Sequence, residues 1–301
     1  MADKTTVRVP GKINLQLSVG PLAKDGYHEL ATVFQSVSLY DEVTLKLIDG
    51  DEIKVNTEGK SGVPDGKDNL AYQAIDLMRR KFEVKDGIEI KIKKEIPIAG
   101  GMAGGSANAG AAIVGFDSLF SLGLSRNEME VIGSELGADV PFTISGGTAI
   151  GTGRGDRITP VLSRGNYFWV LALSSSGLST PAVYNECDRL REGLDIATPH
   201  VSDELVQALS RGDAAALGKV LVNDLQAAAC SLKPALRLIL DVGLDYGALG
   251  GIVSGSGPTV AFLAESEDHA LDLVVALTSS GVVGNVLRAQ GPVPGARVVA
   301  D

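Results

Sequence analysis

Apolar residues stand at every second position from Ile13 to Val19, with polar side chains between them. This period-two pattern predicts a β-strand that buries one face. The same reasoning predicts further strands at residues 31–39, 43–48, 87–96, 143–150 and 167–173. The first half of the chain is therefore expected to be rich in strands.

Helical periodicity appears first at residues 69–82, where apolar side chains recur three and four positions apart. Ser125 and Glu128 form a capping box that opens a helix, which we expect to end at Gly137. In the second half, helices are predicted at 181–191, 202–209, 214–221, 234–242 and 267–278, and strands at 251–254 and 260–263. Strands and helices mixed without strict alternation predict an α+β fold. A soft boundary near 155–160 divides it into predicted domains 1–157 and 158–301.

A run of small residues follows the predicted strand at 87–96. It reads Pro-Ile-Ala-Gly-Gly-Met-Ala-Gly-Gly-Ser-Ala-Asn-Ala over positions 97–109 and leads into an apolar helical segment at 111–116. Glycines let a backbone approach a ligand closely, and a helix N-terminus offers unpaired N–H groups and partial positive charge. The alternative is a small-residue helix packed tightly on a sheet. The strand-loop-helix context favours a phosphate site.

Composition narrows the class of protein. The chain has 301 residues, 45% hydrophobic and 21% charged, which is ordinary for a globular protein. Its formal net charge of −10 opposes nonspecific binding to nucleic acid or anionic membranes. There is no apolar run of roughly 20 residues and no signal-peptide core at the N-terminus, so a cytoplasmic location is expected. Cys187 and Cys230 lack metal-site spacing and are expected to be reduced structural thiols.

Two more segments accompany the small-residue run. Pro-Gly-Lys-Ile-Asn-Leu at 10–15 precedes Asp-Gly-Tyr-His-Glu-Leu at 25–30, and Ser-Gly-Ser-Gly-Pro-Thr stands at 254–259. In this order the blocks resemble the galactokinase–homoserine kinase–mevalonate kinase superfamily. Within this superfamily, the chain resembles the branch that phosphorylates 4-diphosphocytidyl-2-C-methyl-D-erythritol, because Lys-Ile-Asn-Leu is followed by Gly-Tyr-His. The resemblance covers the whole chain, with further agreement at 68–70, 137–141 and 223–225.

The resemblance implies a two-domain kinase fold, with a ribosomal-protein-like N-terminal domain, a ferredoxin-like C-terminal domain and ligands in the cleft between them. It implies ATP-dependent phosphorylation of the substrate's 2-hydroxyl, with Mg²⁺, in the non-mevalonate isoprenoid precursor pathway. The expected partner is this small cytidine diphosphate methylerythritol substrate rather than nucleic acid or membrane, and the expected state is a monomer or weak homodimer.

Two other functions are less consistent with the sequence. A sibling kinase acting on mevalonate, homoserine or a sugar would not need the cytosine-stacking residues of the Gly-Tyr-His turn at 26–28. A noncatalytic nucleotide sensor or an RNA-binding module would not need both Lys12 and Asp139, and the acidic charge opposes RNA.

Lys12 and Asp139 are the catalytic candidates. By residue type alone, a lysine at a strand end is usually a solvated edge charge, and an aspartate after a helix is usually a turn or cap. The resemblance implies that Asp139 accepts the proton of the substrate hydroxyl, or at least orients that hydroxyl. Lys12 would then keep Asp139 ionised and favour charge building on the oxygen.

The resemblance implies that ATP binds the small-residue run. The implied contacts are Pro97, Ala99, Gly100, Gly101, Met102, Ala103, Gly104, Gly105, Ser106 and Asn108, with Asn69 and Lys94 at the adenine pocket. Ser106 is also a candidate Mg²⁺ ligand. The family usually reads Gly-Leu-Gly-Gly-Gly-Ser-Ser-Asn here, so Ala103 replaces a glycine, which costs backbone freedom only if a positive φ is needed.

Aromatic residues are implied at the cytidine end of the substrate. Tyr27 and Tyr184 offer faces that can stack on a pyrimidine, and His28 offers polar edges that can read the base. Asn14 lies two residues from Lys12 on the same strand face, so it can join the methylerythritol site. The resemblance also implies that the Ser-Gly-Ser-Gly block touches the phosphate region of the substrate, through Ser254, Gly255, Ser256 and Gly257.

Overall fold

The computed structural model describes residues 3–59, 62–174 and 176–299. The strands are β1 Lys4–Leu22, β2 His28–Ile48, β3 Ile53–Glu58, β4 Gly87–Lys93, β5 Thr148–Gly153, β6 Arg157–Pro160, β7 Tyr167–Leu173, β8 Val222–Asn223, β9 Gly250–Val253, β10 Val260–Ala264, β11 Asn285–Gly291 and β12 Arg297–Val299. The helices are α1 Leu70–Phe82, α2 Gly104–Phe120, α3 Arg126–Ser134, α4 Val140–Ser145, α5 Thr180–Leu190, α6 Asp203–Arg211, α7 Ala214–Lys219, α8 Gln226–Leu232, α9 Ala235–Asp245 and α10 Glu267–Ser279.

The strands form two sheets. The larger follows the order β12-β1-β2-β4-β3, with β5 on β2, β6 on β5 and β8 on β1. Register shifts in the β1–β2 pair, the first between Pro10 and Gly11, break its regular pairing. Strand β2 pairs with β5 over residues 30–35 and with β4 over residues 42–48. The smaller sheet is antiparallel in the order β11-β7-β10-β9. The α+β prediction is confirmed.

One hydrophobic core connects the two sheets. Side chains from β1, β2, β4 and α2 share a buried cluster with side chains from β7, β10 and α6. Trp169 of β7 is fully buried, and its Nε1 donates a hydrogen bond of 2.8 Å to Oε1 of Gln35 on β2. A buried aromatic ring with a satisfied N–H fixes both its packing and its orientation. The sheets are therefore held together by packing as well as by the chain.

Helix α2 lies close against the larger sheet because small residues line it. A Cβ placed on Gly115 would lie 3.0 Å from Cδ1 of Leu45, which shows how near the helix backbone comes to β2. Helix α1 also packs against α2. This packing aims the N-terminus of α2 at the region between the two sheets. Within the described ranges, no helix is long and apolar enough to cross a membrane.

The strand predicted at residues 143–150 is wrong over residues 143–145 and confirmed over residues 148–150. Helix α4 occupies Val140–Ser145, and strand β5 begins only at Thr148. Pro141 in the first turn of α4 has a φ suited to a helix start, and the positive φ of Gly146 and Gly147 separates helix from strand. An apolar run of five or six residues fits a buried helix as well as a strand, so periodicity could not decide.

The chain returns to the larger sheet after it has entered the smaller one. The predicted boundary between residues 157 and 158 falls inside strand β6, which pairs with β5 in the larger sheet. Strands β8 and β12 return to that sheet by pairing with β1. The smaller sheet takes its strands from residues 167–291.

Candidate active site

The small-residue run forms a loop that ends at the N-terminus of α2. Its backbone has a positive φ at Ala99 (50°), Gly101 (75°) and Ala103 (57°), so the glycine position that Ala103 fills does need the left-handed conformation. A non-glycine residue pays about 1–2 kcal/mol there. The first-turn N–H groups of α2, at Gly104, Gly105 and Ser106, have no carbonyl four residues back within the helix. Unpaired N–H groups of this kind, together with the helix dipole, can bind an anion.

This loop lines a cavity of about 610 Å³ between the sheets. Of the predicted ATP contacts, the cavity wall contains Ala99, Gly100, Gly101, Ala103, Gly104, Gly105 and Ser106. Met102 is fully buried, and its carbonyl accepts a hydrogen bond of 3.2 Å from the backbone N–H of Lys12. Pro97 and Asn108 are absent from the wall as well. The loop therefore contacts the cavity through its small residues and Ser106.

A buried carboxylate holds both ends of the loop. Asp41 on β2 has no exposed surface, and its Oδ1 accepts the backbone N–H groups of Glu95 and Ile96, each at 2.8 Å. Its Oδ2 accepts Nδ2 of Asn108 at 2.7 Å and is paired with Nζ of Lys94. Asp41 thus joins the residues just after β4 to the first turns of α2.

The two residues predicted at the adenine pocket, Lys94 and Asn69, make anchoring contacts. Lys94, which is 3% exposed, bonds Asp41 and donates to the carbonyl of Gly104 at 3.3 Å. The Asn69 side chain caps α1, accepting from the N–H of Ala71 at 2.8 Å and donating to the carbonyl of Pro64 at 3.0 Å. Neither lines the cavity. Both side chains fix the backbone near the small-residue loop, and their place at an adenine pocket stays a prediction.

The two catalytic candidates meet across the cavity. Nζ of Lys12 lies 3.7 Å from Oδ2 of Asp139 and donates a 2.8 Å hydrogen bond to Oδ1 of Asn14. It also lies 5.5 Å from the centroid of the Phe34 ring. Nδ2 of Asn14 donates to Oγ1 of Thr32 at 2.8 Å, which fixes the amide so that its oxygen faces the lysine. Lys12 is 5% exposed, whereas the Asp139 side chain is 33% exposed and can reach a ligand.

The Ser-Gly-Ser-Gly turn at 254–257 packs on the small-residue loop from the other sheet. Oγ of Ser254 donates to the carbonyl of Gly101 at 3.0 Å. A Cβ on Gly255 would lie 3.3 Å from Nζ of Lys12, so this turn closes one side of the catalytic pair. Asn223 on β8 donates to the Gly255 carbonyl at 2.7 Å and holds the turn in place. Ser256 and Gly257 also line the cavity.

A second cavity of about 710 Å³ adjoins the first and contains the predicted cytosine residues. The rings of His28 and Tyr184 lie 5.1 Å apart at 34°, and Nε2 of His28 is 2.8 Å from Oδ1 of Asp188. Burial raises the pKa of the Tyr184 phenol, and the Asp139 carboxylate raises it further, so the phenol stays neutral. Tyr27 is 53% exposed at the rim. The walls of both cavities share Leu30, Ala138, Arg154, Thr180, Pro181 and Tyr184.

Several residues at the site were missed from the sequence. Asp41 has a detectable signal, because it occupies the buried face that Val43 and Leu45 continue. A charge on that face needs a buried partner. Thr32 and Arg154 carry no such signal, since their contacts come from segments distant in sequence.

Comparison with known proteins defines the class. Residues 69–147 match the family described as GHMP kinases N terminal domain, and residues 205–283 match GHMP kinases C terminal. The fold and the loop at α2 are thus those of a GHMP kinase, and the chain is a kinase.

The particular family follows from close relatives. A protein of Nocardia farcinica (strain IFM 10152), named 4-diphosphocytidyl-2-C-methyl-D-erythritol kinase, is 52% identical over 295 residues, covering 97% of this chain and 95% of the relative. One of the same name from Rhodococcus jostii (strain RHA1) is 50% identical, covering 98% and 95%. The solved structure "Crystal structure of 4-(cytidine 5'-diphospho)-2C-methyl-D-erythritol kinase" has a TM-score of 0.77 at 29% identity, covering 94% of this chain and 98% of that chain. The chain belongs to the 4-diphosphocytidyl-2-C-methyl-D-erythritol kinase family.

The anchoring role of Asp41 is testable by denaturation. Asp41→Asn removes the charge that pairs with buried Lys94, and breaking a buried ion pair costs about 3–5 kcal/mol of unfolding free energy. Urea unfolding followed by circular dichroism measures the loss. The control is Glu42→Gln, the next residue, whose carboxylate pairs with Arg8 at the surface and is expected to contribute at most about 1 kcal/mol. Equal losses in the two variants would contradict the anchoring role.

Proposed function

We propose that this chain transfers the γ-phosphoryl group of ATP to the 2-hydroxyl of 4-diphosphocytidyl-2-C-methyl-D-erythritol, giving the 2-phosphate and ADP, a step in the non-mevalonate route to isoprenoid precursors. One observation carries the proposal. The anion site at the α2 N-terminus and the Lys12–Asp139 pair line one cavity, and that cavity adjoins a second one that holds His28 and Tyr184. Phosphate, acceptor hydroxyl and pyrimidine each have a matching surface.

The phosphates of ATP fit the loop at α2. The unpaired N–H groups of Gly104, Gly105 and Ser106 point from a helix N-terminus, where negative charge is stabilised. Phosphoryl transfer passes through a loose transition state, so placement and charge stabilisation supply most of the catalysis. The contacts of Asp41 and Ser254 hold these donors in place before ATP arrives.

Mg²⁺ fits the donor set of the cavity as an ion carried mainly by ATP. Among residues 3–59, 62–174 and 176–299, no three His, Cys, Asp or Glu side chains are grouped as a metal site. Oγ of Ser106 and the Asp139 carboxylate offer oxygen ligands on the cavity wall, and Mg²⁺ commonly takes one or two protein oxygens beside phosphate oxygens. When bound, the ion neutralises phosphate charge. Ser106 would hold it from the helix side.

The acceptor hydroxyl would lie against Asp139. Its partly exposed carboxylate can accept the hydroxyl proton or orient the hydroxyl for in-line attack. Lys12 is fixed by Asn14 and lies 3.7 Å from that carboxylate, so its ammonium would stabilise negative charge on the attacking oxygen. Asn14 can also contact the methylerythritol.

The cytosine would lie in the second cavity. Tyr184 offers a neutral aromatic face, and His28 offers polar edges beside it, with its Nε2 fixed by Asp188. Tyr27 stands at the rim on the turn before β2. Stacking on one aromatic side chain contributes about 1–3 kcal/mol per base.

Substrate choice is tested by ADP release with a panel of acceptors. We expect turnover with 4-diphosphocytidyl-2-C-methyl-D-erythritol, and ³¹P NMR of the product should show a new phosphomonoester on the 2-hydroxyl. Mevalonate, homoserine and galactose should give no ADP above the acceptor-free rate. Faster turnover of one of these would assign the chain to a sibling activity, and ATP binding without ADP release from any acceptor would indicate a noncatalytic nucleotide binder.

The catalytic pair is tested by single and double variants. Asp139→Asn keeps the shape and removes the charge, so kcat should fall by about 10²–10⁴ with little change in either KM. Lys12→Met should cost a similar factor, and the double variant should be only slightly slower, because groups sharing one function are non-additive. The control is Asp76→Asn with Arg80→Met, a surface pair on α1 with its ions 3.2 Å apart. Effects that multiply in the double variant would show separate roles.

The cytosine contacts are tested by removing single rings. Tyr27→Ala and Tyr184→Ala should each raise the KM for the cytidine substrate about tenfold or more and leave the KM for ATP nearly unchanged. Tyr246→Ala is the matched control, because that ring is 54% exposed, as Tyr27 is 53% exposed, but lies outside both cavities. A parallel rise in both KM values would assign the tyrosines to the fold.

Ser106 is tested through the dependence on Mg²⁺. Ser106→Ala should lower kcat and raise the Mg²⁺ concentration needed for half-maximal rate, because one oxygen ligand is lost. Affinity for the cytidine substrate should stay near that of the unmodified enzyme. Ser118→Ala, at an exposed position of the same helix, is the control. An unchanged Mg²⁺ titration in Ser106→Ala would remove this serine from the metal site.

A further inference from the structure

Arg154 stands at the junction of the two cavities. It lies in the turn between β5 and β6, flanked by Gly153 and Gly155, which have φ values of 70° and 92°. Its side chain is about half exposed and lines both the cavity of the catalytic pair and the cavity of the cytosine residues. Of the six wall residues that the two cavities share within the described chain, Arg154 is the one with a charge.

The guanidinium of Arg154 is oriented but has spare donors. It stacks on the Tyr27 ring at 3.6 Å from the centroid, and its Nη2 donates to Oδ2 of Asp25 at 3.2 Å. The Asp25 Oδ1 accepts the backbone N–H of Tyr27 at 3.1 Å, so one carboxylate positions both ring and guanidinium. An arginine carries five N–H donors, and in residues 3–59, 62–174 and 176–299 the others have no hydrogen-bond partner.

The charges around the cytosine cavity make this arginine necessary for an anionic ligand. Glu135, Asp156 and Asp188 contribute carboxylates to the wall of that cavity. Lys12 and Arg154 are the lysine and arginine side chains on the walls of the two cavities in the part of the chain described, and Lys12 is already engaged with Asp139 and Asn14. Without Arg154, the negative charge of a dianion bound between the cavities would not be balanced by a lysine or arginine on the described walls, except by Lys12, which is already engaged.

We propose that Arg154 binds the diphosphate of the substrate, an inference that rests on the proposed function. With the cytosine at His28 and Tyr184 and the 2-hydroxyl at Asp139, the diphosphate that joins them must cross the wall shared by the cavities. A planar guanidinium donates paired hydrogen bonds to phosphate oxygens. Arg154 thereby sets the distance between base and acceptor hydroxyl and favours a nucleoside diphosphate over a neutral nucleoside.

The experiment compares binding of CDP and cytidine by calorimetry, without ATP. The wild-type enzyme should bind CDP more tightly than cytidine, and Arg154→Met should weaken CDP binding by about 10- to 100-fold while changing cytidine binding far less. Arg154→Lys, which keeps the charge but loses the fork, should be intermediate. Arg157→Met is the control, because it removes an exposed arginine three residues away that lines neither of the two cavities.

The dissociation constant of cytidine divided by that of CDP separates the explanations, because weaker binding of CDP alone lowers this ratio. If Arg154 only supports Tyr27, cytidine and CDP weaken together and the ratio stays at its wild-type value, which overturns the proposal. If Arg157→Met lowers the ratio as much as Arg154→Met, the effect is general electrostatics and the proposal is also wrong. A wild-type enzyme that binds neither compound and does not phosphorylate the cytidine substrate refutes the proposed function itself.

Discussion

The active site depends on one buried carboxylate. Asp41 has no contact with solvent, so its charge is stable only where donors surround it, and it has four: two backbone N–H groups after β4, the Asn108 amide and the Lys94 ammonium. These donors come from both ends of the small-residue loop that precedes α2. The requirement to satisfy Asp41 therefore fixes where β4 stops and where α2 starts, and it lets Ala99 and Ala103 keep strained left-handed conformations between them.

The smaller sheet holds the middle of the loop whose two ends are held by Asp41. Ser254 and Thr259 hydrogen-bond the carbonyls of Gly101 and Gly100, so the middle of the loop is held from the opposite side of the cleft. The two sheets share one core, joined by the bond between Trp169 and Gln35. A loop held at its ends and its middle presents N–H donors without reorganisation, which is how electrostatic stabilisation of a transition state becomes effective.

Sequence patterns predicted the structural features that depend on residues close together in the chain. The alternation in β1 and β2, the capping box at α3 and the loop before α2 all lie within short segments, and the structure has each of them. Prediction was wrong for α4, because an apolar segment of that length has no distinguishing period. It also missed Asp41 and Arg154. Their roles arise from contacts between segments far apart in sequence, such as the turn at Asp25 with the turn at Arg154, which no local pattern specifies.

We infer that the cytidine substrate spans both cavities. Its acceptor hydroxyl lies beside the ATP phosphates in the first cavity, and its base lies in the second. A crystal structure with a nonhydrolysable ATP analogue and 4-diphosphocytidyl-2-C-methyl-D-erythritol tests it most directly. We expect the triphosphate on the N–H groups of residues 104–106, the 2-hydroxyl within hydrogen-bond distance of Asp139, and the cytosine against Tyr184 and His28. A cytosine outside the second cavity, or a 2-hydroxyl turned away from Asp139 and the γ-phosphate, would contradict it.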